Sequence, residues 1–396
     1  MPRIRDDFRR GQVAIAALFC FLGFQYVTWV SRLPRVKDEL DLTATELGLL
    51  LMACGAGAAA SFPLVAHLMK AMGAKRLAFA AAGALLLFLP AFAAAPGYPA
   101  ALAALAADGA AAAGLNVAMN AQGAALEEIY ERTAMAKMHA TFSAGSLAAA
   151  LLASVVQTAT ADLAAHFAVA AVLLLAMLGV ARTGLSAEDR PDRPEDRPEG
   201  RSEGRSEKER RRWRLPTRLT LWMGCAMALG TITEGAMNDW STLYLEDVAD
   251  AAPEVAPLGI AVVSVMMVVA RLFADGWRTR WGDGPVVRLG SALAGTGLAA
   301  AVLAGGVVPA LVGFACVGLG VAAVTPCVYV AAARAGPDAL SLVAAMGTTG
   351  LLGGPAVIGF IAGAAGLAWG MGAVAASALL VSLCTTRIRW PALSNA

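Results

Sequence analysis

The run EDRPDRPEDRPEGRSEGRSEKERRRWR, residues 188–214, decides how the rest of the chain is read. It cycles Arg, Pro, Asp and Glu in degenerate order and holds no Val, Leu, Ile, Met or Phe. Such a composition buries too little apolar surface to offset the entropy of ordering, so a disordered linker is expected over 183–217. On both sides of it the composition inverts. The chain of 396 residues is 58% hydrophobic and only 15% charged. Apolar stretches of roughly 20 residues, nearly free of charge, lie near 12–33, 46–69, 77–96, 98–126, 137–160 and 162–182. Six more lie near 218–245, 257–276, 285–304, 306–334, 338–364 and 366–386.

In lipid every backbone N–H and C=O must find a partner within the protein, which leaves helices or closed barrels. The apolar runs are continuous rather than alternating, so helices are expected. The reading is an all-α polytopic membrane protein with twelve transmembrane helices, six in residues 1–182 and six in 218–396. The first apolar run follows basic residues but has no small-residue cleavage site behind it, and reads as a retained helix rather than a signal peptide.

Several functions are excluded by what is missing. The six cysteines stand singly in apolar segments, with no metal or disulfide spacing. No GxxxxGK[ST] loop occurs, and no nucleophile, metal or cofactor constellation is present, so neither an enzyme, a cofactor nor a nucleic-acid partner is expected. Lysine and arginine in the short loops give the orientation. Arg3, Arg5, Arg9, Arg10, Lys70, Lys75, Arg76, Arg132, Lys137, the linker, Arg278, Arg280, Arg288, Arg334, Arg387 and Arg389 share one side. The other side has only Arg32, Arg35 and Lys37, and an acidic loop after span seven. The positive-inside rule then places both termini and the linker in the cytoplasm.

The halves resemble each other. GLNVAMNA (114–121) aligns with GLGVAAVT (318–325), Gly145 with Gly350, Gly73 with Gly282, and Trp29 with Trp240, all in order and at slowly drifting offsets. A six-plus-six duplication about an axis along the membrane normal follows.

Twelve spans in two six-helix halves with a long central linker resemble the major facilitator superfamily. The loop AHLMKAMGAKR (66–76) looks like a worn form of that superfamily's signature after span two, with Ala66 where the signature has Gly and Lys70 where it has Asp. Its second-half counterpart ARLFADGWRTRWG (270–282) keeps Arg271, Asp275, Arg280 and Gly282, which implies gating roles for Arg271 and Asp275. WVSRLP (29–34), NVAMNAQG (116–123), HATFSAG (139–145) and EGAMNDWSTLYL (234–245) resemble the fucose-permease-like subgroup of bacterial inner-membrane permeases, which includes rhizopine-transport-like members. The resemblance implies a secondary transporter working by alternating access, on a small polyhydroxylated solute such as a sugar, polyol or sugar derivative.

An ionisable side chain at bilayer depth costs at least about 2.5–3.5 kcal/mol on insertion scales, so it faces a cavity or a partner. Thr231, Glu234, Asn238 and Ser241 share one face of span seven. Glu234 is a proton carrier or substrate ligand, or else a carboxyl locked to a neighbouring helix. Asp239 points away from that face, nearer the outer end, where Arg32 is expected to neutralise it as a gate or structural pair. On span four, Asp108 is a second candidate for proton coupling. Asn116 and Asn120 are either substrate ligands or amides that bond neighbouring helices. His139 can titrate near neutral pH, or else cap the loop or bond to the amides of span four. Gln25 and Trp29, one turn apart on span one, suit the hydroxyls and apolar face of a sugar, although tryptophan also anchors at interfaces. Thr348 and Thr349 extend the polar lining.

The expected partners are a small solute, the lipid bilayer, and protons or another coupling ion, with the chain a monomer in the bacterial inner membrane. Efflux of an amphipathic drug or metabolite is the alternative, and a transport-inactive receptor or scaffold a further one.

Overall fold

A computed structural model describes residues 2–131, 134–185 and 217–390; the expected linker lies, but for its ends, outside the described residues. The first half comprises α1 (Pro2–Val30), a short α2 (Leu33–Glu39), α3 (Ala44–Ala93), α4 (Tyr98–Tyr130), α5 (Met135–Gln157) and α6 (Leu163–Ala181). The second comprises α7 (Arg218–Asp247), α8 (Leu258–Trp281), α9 (Asp283–Ala304), α10 (Val307–Val321), α11 (Val324–Ala335), α12 (Pro337–Ala365) and α13 (Leu367–Thr385).

Local chemistry sets the helix ends. Thr43 and Glu46 form a capping box at the start of α3: Glu46 N donates to Thr43 Oγ1 (3.2 Å) and Thr43 N donates to Glu46 Oε2 (2.9 Å). The Asp162 carboxylate accepts from the N–H groups of Ala164 and Ala165 at the start of α6. α3 is two spans in one run, bent at Gly73, whose φ of 78° is open to glycine. Gly282, between α8 and α9, has nearly the same backbone, φ 82° and ψ 161° against 78° and 162°.

Nine segments among the described residues are long and apolar enough to cross a membrane. α3 supplies two spans, and α10 with α11 together supply one. α7 and α8 complete the twelve. α7 falls short on hydropathy because it carries Thr231, Thr233, Glu234, Asn238 and Asp239. Large apolar side chains also cover the outside: Leu87, Val155, Val172, Leu303 and Trp369 are mostly exposed, a surface suited to acyl chains.

The duplication is visible as packing. A Cβ on Gly145 of α5 would lie 2.2 Å from Cys20 O of α1, and one on Gly350 of α12 would lie 2.4 Å from Ala228 O of α7. Each glycine lets one helix backbone touch the next at the equivalent crossing in its half. Trp29 and Trp240 are likewise both buried.

By the parity of twelve crossings, the start of α1, the end of α6, the start of α7 and the end of α13 lie on one face, here the linker side; the other face is the far side.

Candidate functional site

The two halves meet most closely at the far side. α3 packs on α12 through backbone contact: a Cβ on Gly48 would lie 2.8 Å from Pro355 O, and one on Gly359 would lie 2.7 Å from Ala44 O. Thr45 Oγ1 donates to Gly359 O (3.4 Å). An ion pair joins Lys37 of α2 to Asp247 of α7, and Ser154 Oγ of α5 donates to Glu254 O beyond α7. α5 also packs along α8, but no extended packing joins α4 to α11 on the linker side. The halves are therefore sealed at one end and parted at the other.

Just inside the seal lies a network of neutral donors and carboxyl groups. Gln25 Nε2 donates to Asp108 Oδ1 (2.8 Å), and Cys54 Sγ lies 3.9 Å from Asp108 Oδ2. Tyr26 Oη of α1 donates to Asp239 Oδ1 of α7 (2.5 Å), a hydrogen bond from one half to the other. Among the described residues neither aspartate is in an ion pair.

A third layer lies deeper, toward the linker side. Arg271 Nη2 of α8 donates to Glu234 Oε1 of α7 (3.4 Å), and Arg271 Nη1 donates to Ser143 Oγ of α5 (3.4 Å). At 1.5 Å per residue, each of the three sits about 20 Å from the far end of its helix. The pair is not sealed in: the Arg271 side chain is 46% exposed and that of Glu234 31%. His139, one turn from Ser143 toward the linker side, is exposed and sets its ring edge against Phe19 (4.7 Å between centroids).

The structure brings Glu234 and Arg271 together, and Asp108 with Gln25. Asn238 lies one turn beyond Glu234 and donates back to Glu234 O (3.2 Å). Asn116 is exposed, and Asn120 Nδ2 donates to Asn116 O (2.8 Å) and Asn116 Oδ1 (2.9 Å). Thr348 and Thr349 are exposed, each hydroxyl donating to a carbonyl of its own helix. The side chain of Asp275 lies outside the described residues.

Three expectations are corrected. Arg32 does not neutralise Asp239: its Nη2 donates to Ala161 O, while Asp239 takes the nearer neutral donor Tyr26. Trp29 does not face open space, because it is buried against Tyr26 and the stacked rings of Phe88 and Phe92. Gln25 is buried too, its amide committed to Asp108. Tyr26 was missed. The matching depths of Trp29 and Trp240 were its signal, since Tyr26 lies three residues inward of one and Asp239 adjoins the other.

Two six-helix bundles, sealed on each other at one membrane face and parted toward the other around a charged pair, define a membrane transport protein. Residues 13–339 match the model of the Major Facilitator Superfamily. The chain is 31% identical over 362 residues to the uncharacterized transporter y4wD of Sinorhizobium fredii, covering 89% of this chain and 91% of that one. It is 29% identical to the membrane protein MosC of Rhizobium meliloti, covering 89% and 84%. The crystal structure of the nucleoside transporter NupG matches with a TM-score of 0.70 at 14% identity, covering 96% of this chain and 98% of that one. A bacterial homolog of the human lysosomal transporter Spinster, inward-facing and occupied, matches at 0.68 and 11% identity over 95% of both chains. At these identities the two structures show the fold alone. The chain belongs to the major facilitator superfamily, and it is a transporter rather than an enzyme.

Proposed function

We propose that the protein is a proton-coupled secondary transporter that carries a small polar solute, of the sugar, polyol or sugar-derivative class, through the cleft between its halves. The observation that carries this reading is the layering along one axis. A seal between the halves lies at the far side, and the exposed Glu234–Arg271 pair lies inward of it. A solute entering from the linker side reaches that pair but is stopped at the Tyr26–Asp239 hydrogen bond. With Lys and Arg concentrated on the linker side, that side is cytoplasmic, the protein sits in a bacterial inner membrane, and the cleft faces inward. Asn116, Asn120, Asn238, Thr348 and Thr349 supply hydroxyl-binding groups, and one polypeptide completes the path.

The test is uptake by proteoliposomes holding the full chain under an imposed pH gradient, with labelled sugars, polyols and their acid and amino derivatives. Uphill accumulation of one of them, abolished by a protonophore, is expected. Uptake of every one no faster than in protein-free liposomes overturns the reading.

The amides give a second test. The side-chain bonds of Asn116 and Asn120 stay within α4, so neither ties one helix to another. Asn116→Ala and Asn120→Ala are expected to weaken solute affinity several-fold while leaving folded yield near that of the parent. Reduced yield with unchanged affinity would assign them to packing.

A further inference from the structure

The geometry of the deep layer points to the charge of the solute. A guanidinium has five N–H donors in a fixed fork, and in a dedicated ion pair it grips a carboxylate in two parallel bonds of about 2.7–2.9 Å. Arg271 makes no such grip: it reaches Glu234 through a single bond of 3.4 Å and Ser143 through another of 3.4 Å. Among the described residues Glu234 Oε2 has no hydrogen-bond partner, and nearly half of the Arg271 side chain is open. Three helices converge to hold a fork whose full capacity the described residues leave unused.

Closing the cleft around a solute removes these charges from water, which is costly unless they sum to zero. Glu234 and Arg271 already cancel. A neutral solute needs no proton. A cationic solute leaves one positive charge in excess, and arginine cannot shed its proton. An anionic solute leaves one negative charge in excess, and that Glu234 can remove by taking up a proton. The pair adapts to an added negative charge and not to a positive one.

We infer that Arg271 is the receptor for a carboxylate on a hydroxylated solute, an inference that rests on the transporter reading above. The solute carboxylate takes the Arg271 fork in place of Glu234, and the Glu234 carboxylate accepts one proton from water on the open side. One anion and one proton then cross together with no net charge. Of the charged groups on α8, Arg271 meets Glu234, while Asp275, Arg278 and Arg280 follow one to three turns nearer its linker-side end, Arg278 paired with Asp283; His139 of α5 lies one turn from Ser143, which Arg271 contacts. Asp239 of α7 faces Tyr26 of α1. α10 and α13, also packed on α7, carry no charged side chain. α11 and α12 carry only Arg334 and Asp338 at their linker-side ends, and the charges of α2 lie at the far side.

Probes with one ring and three charges test this: glucuronate, glucose and glucosamine, with galacturonate and gluconate as further carboxylates. Thermal unfolding of the purified full chain is followed with each. The carboxylates are expected to stabilise it, more so at acid than at alkaline pH, while glucose and glucosamine do not. Arg271→Lys keeps the charge but not the fork, and is expected to weaken the carboxylates about tenfold or more. The paired variant Glu234→Gln/Arg271→Gln leaves no lone charge, so it folds without testing the pair's stability, and is expected to lose the response. In proteoliposomes, carboxylate entry should acidify the lumen at a rate insensitive to a clamped membrane potential. Equal or greater stabilisation by glucose or glucosamine, a carboxylate response surviving in the paired variant, or no response to any carboxylate overturns the inference. Uptake of glucose or glucosamine without the carboxylates would leave the transporter reading standing and remove this one. No uptake of any solute would remove both.

Discussion

Glu234→Gln is expected to abolish uphill accumulation while leaving solute binding and solute exchange across the membrane in place. For one coupled proton, each unit of pH gradient is worth about 1.4 kcal/mol, a roughly tenfold concentration ratio. The glutamine keeps the shape and hydrogen-bonding capacity of the side chain that Arg271 contacts at 3.4 Å but carries no titratable proton. At zero membrane potential the variant should bring solute only to equal concentration on the two sides, whatever pH gradient is imposed, and its binding should lose most of its pH dependence. Exchange of labelled for unlabelled solute between preloaded vesicles measures what survives. A variant that still concentrates solute as the parent does would make Glu234 a structural or ligand group and move the proton to Asp108 or His139.

The largest expected loss of stability is at the α3–α4 crossing. A Cβ on Gly109 would lie 1.8 Å from Cys54 O, and one on Gly57 would lie 1.9 Å from Ala106 O. Both clashes are with backbone, which cannot rotate aside as a side chain can. Gly109→Val therefore forces the two helices apart and should cost about 3 kcal/mol or more, against a total stability typically of about 5–15 kcal/mol. The separation would also carry Cys54 away from Asp108, next in sequence to Gly109. Gly83 has nothing within 4 Å of an added Cβ, so Gly83→Ala should be neutral or slightly stabilising. Monodisperse yield from detergent and thermal unfolding compare the two. Comparable yields and melting points would mean that the crossing relaxes at little cost.

Much of this architecture was legible because it rests on composition and on backbone sterics. Charge-free runs of spanning length gave the helices. The glycine matches Gly73 with Gly282 and Gly145 with Gly350 proved to be shared backbone geometry and shared crossings. The site was less legible, for a physical reason. Periodicity shows which residues share a helix face, but in a membrane both the lipid and the protein interior are apolar, so the pattern does not say where a face points. Gln25 and Trp29 share a face of α1, yet it turns into the first half rather than into the cleft. Arg32 lies at a depth that suits Asp239, but helix rotation gave that carboxyl to Tyr26. Arg271 was read from a loop signature, and its meeting with Glu234 depends on how α7 and α8 are turned toward each other.

The glycine contacts at the far side also bear on how the protein responds to temperature. Where α3 meets α12, Gly48 and Gly359 place backbone on backbone, so parting the helices there bares peptide groups more than side-chain carbon. Newly wetted apolar area raises heat capacity, and newly wetted polar area lowers it. At this contact the two contributions oppose each other, so its opening carries only a small heat-capacity change. An equilibrium with a small heat-capacity change has an enthalpy that stays nearly constant with temperature. The balance between sealed and open forms then follows a nearly straight van't Hoff line, so one enthalpy describes its response over the whole range in which the protein stays folded.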